Sequence, residues 1–312
     1  MKNKNPKFSI IVNLKAGSGH AKKIWPIVER ELKRRNLAYE CFYTKAIGHA
    51  QTLAKEIAHK RECDIILVLG GDGTLHEVIN GLLFAKQKTP IPVSYIPTGS
   101  GNDFAKSYGI SNTPIKALDQ IINCQNIQNV CIGHYIEKIG GREGFFINNL
   151  GIGFDARIVH KTNSSLTKKG LNKLNLGQFS YAMKGFSAFL TQNTFELIIG
   201  ERHFKKAYIS IVNNVPYIGG GMNVSPEMSP FKKGIELFVV EKKSILNLLK
   251  ILNLFIQGKV DKSPYVHRFK NNKLAIKTKN SQFIHLDGEE FAKTEVNLIL
   301  DTQTYPFWQI HN

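Results

Sequence analysis

The sequence predicts an α/β domain with a parallel sheet followed by an all-β domain, and three observations carry that prediction. Three short apolar runs within the first hundred or so residues each break at a glycine-rich turn. From about residue 130 the texture changes to many short apolar runs separated by turn residues. The chain has 312 residues, 42% hydrophobic and 21% charged, enough apolar material for a core in each half. The expected division is 1–129 for the α/β domain and 130–299 for a β-sandwich domain, with 300–312 a tail that can return to the first. Length alone leaves one large domain open as the alternative.

Phe8 to Val12 is the first run, followed by Gly17, Ser18 and Gly19 and a helical stretch from about Ala21. Ile65 to Leu69 is continuously apolar, as expected of a strand buried on both faces, and breaks at Gly70-Gly71-Asp72-Gly73. Val93 to Ile96 breaks at Pro97-Thr98-Gly99-Ser100-Gly101. Strands alternating with helices predict the parallel sheet. In the second half, Phe145 to Asn148, Phe195 to Ile199, Ala207 to Val212, Ile235 to Val240 and Lys273 to Thr278 read as strands of a sandwich. Amphipathic segments near 165–190 and 244–257 interrupt them, and no fixed-period repeat is present.

The turns carry the chemistry. In GGDGTLHEVINGLL, Gly70 to Leu83, Thr74 and Glu77 have capping-box spacing, which makes Thr74 the expected N-cap. Glycines let backbone N–H groups approach an anion, and a helix N-terminus favours negative charge. Asp72 in that turn suits a carboxylate holding Mg²⁺ beside phosphates. Any one such turn also fits a plain structural bend. NLKAGSG (Asn13 to Gly19) and PTGSGNDFA (Pro97 to Ala105) end the other two strands at the same sheet edge, where such domains bind ligands. Three turns on one edge, two with Asp, point to a nucleotide.

Several familiar readings fail. No G-x-x-x-x-G-K-[ST] is present. GIGFDA (Gly151–Ala156) mimics a dinucleotide turn, but no acid follows before Glu196. His76-Glu77 begins an HExxH pattern that Asn80 breaks.

Lys plus Arg number 42 against 24 Asp plus Glu, a formal charge of +18 that attracts polyanions. No nucleic-acid-binding pattern accompanies it. Ala156 to Phe195 contains no acid but carries Arg157, Lys161, Lys168, Lys169, Lys173 and Lys184 among leucines and aromatics. That composition suits an anionic membrane surface, with a solvated basic face as the plainer reading. Ser244 to Lys259 is strongly apolar and reads either as the wall of a lipid-chain groove or as a core helix. The apolar run of MKNKNPKFSIIVNL is too short for a signal peptide, and no stretch is long enough to span a bilayer, so the expectation is a cytoplasmic protein peripheral to the inner membrane face. Cys41, Cys63, Cys124 and Cys131 form no CxxC pair and read as free thiols.

Gly70–Thr74 with Glu77 and Asn80, Gly99–Ala105, Leu286-Asp287-Gly288-Glu289, GIGFDA and GGGMNVSP (Gly219–Pro226) together resemble the diacylglycerol kinase catalytic-domain family. That family includes bacterial lipid kinases and the sphingosine and ceramide kinases, and the resemblance runs over nearly the whole chain. It implies an ATP cleft between the two domains and transfer of the γ-phosphate of Mg·ATP to a lipid hydroxyl, with diacylglycerol the simplest substrate. By the same resemblance Asn13, Leu14, Lys15, Ala16, Gly17 and Thr44 line the nucleotide. Gly70, Gly71, Asp72, Gly73, Thr74, Leu75 and His76 cradle phosphates, and Ser100 and Asn102 contact ATP. Asp72 and Asp103 organise Mg²⁺, Asp287 is the general base, and Glu289 supports it. Taken alone, Asp287-Gly288 is a hairpin signal. Family members are often dimers, which makes a homodimer a further implication.

Two positions depart from the family pattern. Cys131 stands where a D-x-G strand carries Asp, and Lys232-Lys233-Gly234 stands where an Asp-Asp-Gly loop holds a second Mg²⁺, so that second site is expected to be absent or altered. The rival readings are an NAD kinase-like small-molecule kinase and a catalytically weak lipid- or nucleotide-binding regulator.

Overall fold

The structure is a computed structural model that describes residues 6–153, 193–257 and 259–310. The basic stretch between Arg157 and Phe189 lies outside the described residues. The first half runs β1 (Phe8–Val12), α1 (His20–Arg34), β2 (Tyr39–Tyr43), α2 (His49–Lys60), β3 (Ile65–Gly70), α3 (Asp72–Phe84), β4 (Val93–Pro97), α4 (Asp103–Tyr108) and α5 (Pro114–Ile122). Its strands lie parallel in the order β2-β1-β3-β4. Every residue of β1, β3 and β4 is buried, which is why these segments are uninterrupted apolar runs. Helix α1 buries Ala21, Ile24, Trp25, Val28 and Leu32 on one stripe.

The second half runs β5 (Gln128–Glu137), β6 (Glu143–Phe146), β7 (Asn149–Gly153), β8 (Phe195–Ile199), β9 (Arg202–Asn213), β10 (Tyr217–Ile218), β11 (Met222–Asn223), β12 (Ile235–Glu241), α6 (Ile245–Ile256), β13 (Val266–Asn271), β14 (Leu274–Thr278), β15 (Gln282–Leu286), β16 (Glu289–Thr294) and β17 (Asn297–Phe307). This is a β-sandwich. Its interior collects Leu150, Ile152, Leu197, Val212, Leu237, Ile276 and Leu298. Gly151 and Gly153 lie in β7, not in a phosphate turn.

Strand β17 joins the halves. It pairs antiparallel with β5 and β14, then lies parallel to β4 at Phe307. Beyond it, Trp308 N donates to Val93 O at 2.8 Å, and the Gln309 amide brackets the backbone of Tyr95. The last residues thus finish the sheet begun by the first.

Three expectations change in detail. The strand expected at Phe145 to Asn148 stops at Phe146, because the N–H groups of Ile147 and Asn148 turn away to a carboxylate described below. Gly71, not Thr74, is the N-cap of α3, so the capping box does not form. The segment after Ser244 is a helix with two characters. Leu248 and Ile251 pack on Tyr208, Phe238 and Val240, while Ile245, Leu246 and Leu249 face outward. No helix among the described residues is long and apolar enough to cross a membrane.

Candidate active site

Three turns meet at the carboxyl ends of β1, β3 and β4, and backbone contact holds them together. A Cβ on Gly99 would lie 2.6 Å from the Cα of Gly71, so the second and third turns stack only because both residues are glycine. A Cβ on Gly17, whose φ is +59°, would meet the Thr98 carbonyl at 2.3 Å, which fixes the first turn against the third. Asn13 donates from Nδ2 to Thr74 Oγ1 at 2.9 Å, tying the first turn to α3. Asn102 closes the third turn on itself, accepting from Gly99 N and donating to Gly99 O, both at 3.0 Å.

The turns open on a cavity of about 740 Å³. Of the expected nucleotide residues, Asn13, Lys15, Ala16, Gly17, Thr44, Gly71, Asp72, Gly73, Thr74 and Ser100 line it, and Glu289 reaches it from the sandwich half. Leu14, Gly70, Leu75, His76, Asn102, Asp103 and Asp287 do not appear on its wall. Leu75 is fully buried in the core, and Gly70 offers its carbonyl to Thr98 N and the Tyr95 hydroxyl. Reading the sequence did not find Lys45, Ala46, Ile47 and Glu77, which also line the cavity. The YTKAIGHA stretch around Thr44 was the available signal for the first three.

Glu77 caps α2, not its own helix. Its carboxylate accepts from Gly48 N at 2.7 Å and Ala50 N at 3.0 Å, placing negative charge at the α2 N-terminus. Glu77→Ala should therefore lower stability by about 1–2 kcal/mol in urea denaturation, the usual loss for a helix cap. A change below a few tenths would show that the cap carries no weight.

Asp72 and Asp103 form an acidic pair beside the cavity. Asp72 accepts from the N–H groups of Phe104 (3.2 Å) and Asp103 (3.1 Å), capping α4 from outside. Burial, then the charge of Asp103, push the Asp72 carboxyl up to about 6. Asp103 accepts from Gly220 N at 3.0 Å, and burial raises its carboxyl too. Gly220 comes from the loop between β10 and β11, so the sandwich half clasps the third turn here.

Asp287 and Gly288 join β15 to β16 as a two-residue turn with φ of +50° and +85°, the geometry Asp-Gly favours in hairpins. The Asp287 side chain is fully buried. It accepts from Ile147 N and Asn148 N at 2.7 Å, Asn149 N at 3.0 Å and His76 Nδ1 at 2.7 Å. Glu289 lies beside the first turn of α3, so that a Cβ on Gly73 would meet its Oε1 at 2.9 Å. Cys131, in β5, is buried with its N–H on Pro230 O at 2.6 Å, and the positive charge of Lys233 bears on its thiol. The two departures from the family pattern are thus neighbours in space, outside the wall of the cavity.

Three glycine turns on one half, with Glu289 reaching their cavity from the other, match in form what phosphoryl transfer asks of a protein, and the class the fold defines is that of the lipid kinase-like proteins. Residues 7–134 match the family model of the diacylglycerol kinase catalytic domain, and residues 148–306 match the YegS C-terminal NAD kinase beta sandwich-like domain. The chain belongs to the diacylglycerol kinase catalytic-domain family. It is 29% identical over 300 residues to a candidate lipid kinase of Bacillus subtilis (strain 168), YtlR, covering 92% of this chain and 94% of that one. It is 28% identical over 284 residues to the diacylglycerol kinase of the same organism, covering 90% and 88%. The fold matches the crystal structure of a candidate diacylglycerol kinase from Bacillus anthracis str. Sterne with a TM-score of 0.73 over 99% of both chains, at 21% identity.

Proposed function

We propose that this protein transfers the γ-phosphate of Mg·ATP to a lipid hydroxyl, and that diacylglycerol, giving phosphatidic acid, is the substrate to test first. The observation that carries this is the single cavity into which all three glycine turns and Glu289 open. The first turn and Thr44 line the nucleotide, the α3 N-terminus takes the phosphates, and Ser100 completes the wall.

The acidic pair fits Mg²⁺. Mg²⁺ is held by one or two protein carboxylates plus substrate phosphates, so Asp72 and Asp103 suffice, although no cluster of three or more ligating side chains occurs among the described residues. The Asp72 carboxylate accepts the N–H groups of Asp103 and Phe104 and a side-chain hydrogen bond from Asn148, three of its about four lone-pair positions. When bound, the ion would neutralise charge on the transferring phosphates. The chain's own part is to hold both carboxylates at the cavity and to bring Glu289 and the Asp287–His76 pair across from the hairpin.

The lipid comes from an anionic membrane at the cytoplasmic face. Helix α6 supports this. Ile245, Leu246 and Leu249 are exposed, with Lys243 and Lys250 beside them, an apolar strip with basic edges that suits an anionic interface. Leu246→Glu should weaken binding to phosphatidylglycerol vesicles about tenfold, from the lost burial of one leucine. Cosedimentation measures this, and unchanged binding removes α6 from the contact.

The deciding experiment is transfer of labelled γ-phosphate from Mg·ATP to a panel of lipids in anionic mixed micelles. A labelled lipid names the substrate. Labelling of soluble NAD instead would move the chain to a small-molecule kinase. A second reading, a weakly catalytic regulator, draws on Cys131 beside Lys233 and predicts ATP and vesicle binding without turnover. Cys131→Asp should raise turnover on that reading, and no rise would count against a metal role for this position.

A further inference from the structure

We infer that Lys106 is a positioning residue of the reaction: with Asp103 it grips the Gly220 peptide, and that grip sets the sandwich half against the third turn. The inference rests on the kinase reading above. Lys106 does not line the cavity, so it acts through the residues it holds.

Lys106 and Asp103 stand three residues apart on α4, the spacing that brings two side chains to one face of a helix. Together they take both polar groups of Gly220. Its N–H donates to the two Asp103 oxygens at 3.1 and 3.0 Å, and its carbonyl accepts from Lys106 Nζ. A residue held by its N–H and its C=O from one helix is fixed in place and in orientation. Each bond carries a full charge on the α4 side, and such bonds are about twice as strong as neutral ones.

The segment is built to be gripped. Gly219, Gly220 and Gly221 connect β10 to β11, which form a two-stranded sheet of their own. Their φ values are +60°, +93° and +115°, so the backbone comes close with no side chain in the way. A Cβ on Gly221 would meet Lys106 Nζ and lie 3.4 Å from its Cδ, so the lysine stem also packs along the strap. On the other side, a Cβ on Gly101 would stand 3.6 Å from Gly220 Cα and 3.6 Å from Asp72 Oδ2. Gly101 lines the cavity. The third turn is thus the layer between the strap and Asp72.

This grip completes the attachment of the sandwich half around the cavity. On the α3 side, the Asn80 amide brackets the Phe145 backbone with two bonds of 3.0 Å, and His76 meets Asp287. Those contacts fix the side from which Glu289 enters. On the α4 side stand the Gly220 grip and the ring contact of Phe231 with Tyr108 at 5.2 Å. Loss of the grip leaves the halves joined along α3 and β17 but loose at the third turn. A misplacement of about 1 Å can cost phosphoryl transfer about 10²-fold, because the step depends on alignment.

Lys106→Met tests this, since Met keeps a stem and loses the donor, and Lys106→Arg restores a charged donor. Amide hydrogen exchange on the full chain needs no turnover. Gly220 should exchange about tenfold faster in the Met variant, the scale of one lost bond to a charged group, with Ile147 and Asn148 unchanged. In the lipid-labelling assay kcat should fall about 10–10²-fold, with the KM for ATP within about twofold. Lys106→Arg should recover both readings to within about threefold, which a loss of general stability would not do. Wild-type exchange at Gly220, or wild-type kcat, in the Met variant would overturn the proposal, and so would a loss that Arg fails to restore. Wild type that labels no lipid rejects the kinase reading and the positioning role with it, and exchange at Gly220 then tells whether the grip itself stands.

Discussion

Asp287→Asn should lower stability by about 3 kcal/mol and lower kcat by about 10²–10⁴-fold, and the two losses have separate causes. Four donors converge on this carboxylate, three of them backbone N–H groups at the break between β6 and β7. An amide presents one oxygen and one NH₂, so at least one buried N–H would face another donor. A buried donor left without its acceptor costs about 1–3 kcal/mol, and the charge-assisted character of these bonds is lost as well. The hairpin itself tolerates Asn, which accepts positive φ as Asp does, so the loss comes from the carboxylate and not from the turn. The kinetic loss follows from the chemistry of the amide, which cannot take up the hydroxyl proton, the role that the family resemblance gives Asp287. Urea denaturation and steady-state turnover, measured on the same variant, separate the two. A variant of full stability and no activity would show that the four bonds do not hold β6 to β7.

What the sequence could show here depends on how far each interaction reaches. The three glycine turns were legible because each is a local event: a buried run ends, glycines follow, and a helix starts. Their mutual stacking was not, since nothing in Gly17 or Gly99 announces Thr98 O or Gly71 Cα as a neighbour. The capping box failed for a related reason. Thr74 and Glu77 have the right spacing, but Gly71 starts the helix earlier, Thr74 Oγ1 goes to Asn13, and Glu77 reaches α2 at Gly48. At Asp287 the Asp-Gly hairpin signal was legible, but the partners of the side chain were not. It is a hairpin residue whose carboxylate is saturated by donors 138 to 211 positions away in sequence. The return of β17 to β4 was only a suggestion in the sequence, because a strand's partner is set by register, not by composition.

Asp72 should make the cation-free protein less stable as pH rises from about 4 to about 6, and this dependence should shrink in Asp72→Asn, leaving the share of the likewise raised Asp103 and Glu289 carboxyls. The sign follows from proton linkage. Its carboxyl stands at about 6 in the folded chain against 3.8 as the ordinary value. The folded state therefore binds the proton more tightly than the unfolded state does. Stability from this group is complete below pH 4 and lost as pH climbs through 6. At about 1.4 kcal/mol per pH unit, the loss is about 3 kcal/mol. Burial is the first cause and the neighbouring charge of Asp103 the second, and a divalent cation held between the pair would offset both. Urea denaturation at pH 4.5 and 7.5, in chelator and in Mg²⁺, should show the decline in chelator only. Asp72→Asn should reduce the decline by the share of Asp72 and also reduce turnover by about 10²–10³-fold, the scale of losing one preorganised electrostatic contact to the reacting phosphate. An equal decline in wild type and variant would place its origin elsewhere. A decline that Mg²⁺ leaves untouched would mean that the pair does not hold the ion. If both effects appear as expected, the acidic pair is a site where folding energy is given up so that the cation and its phosphates can restore it.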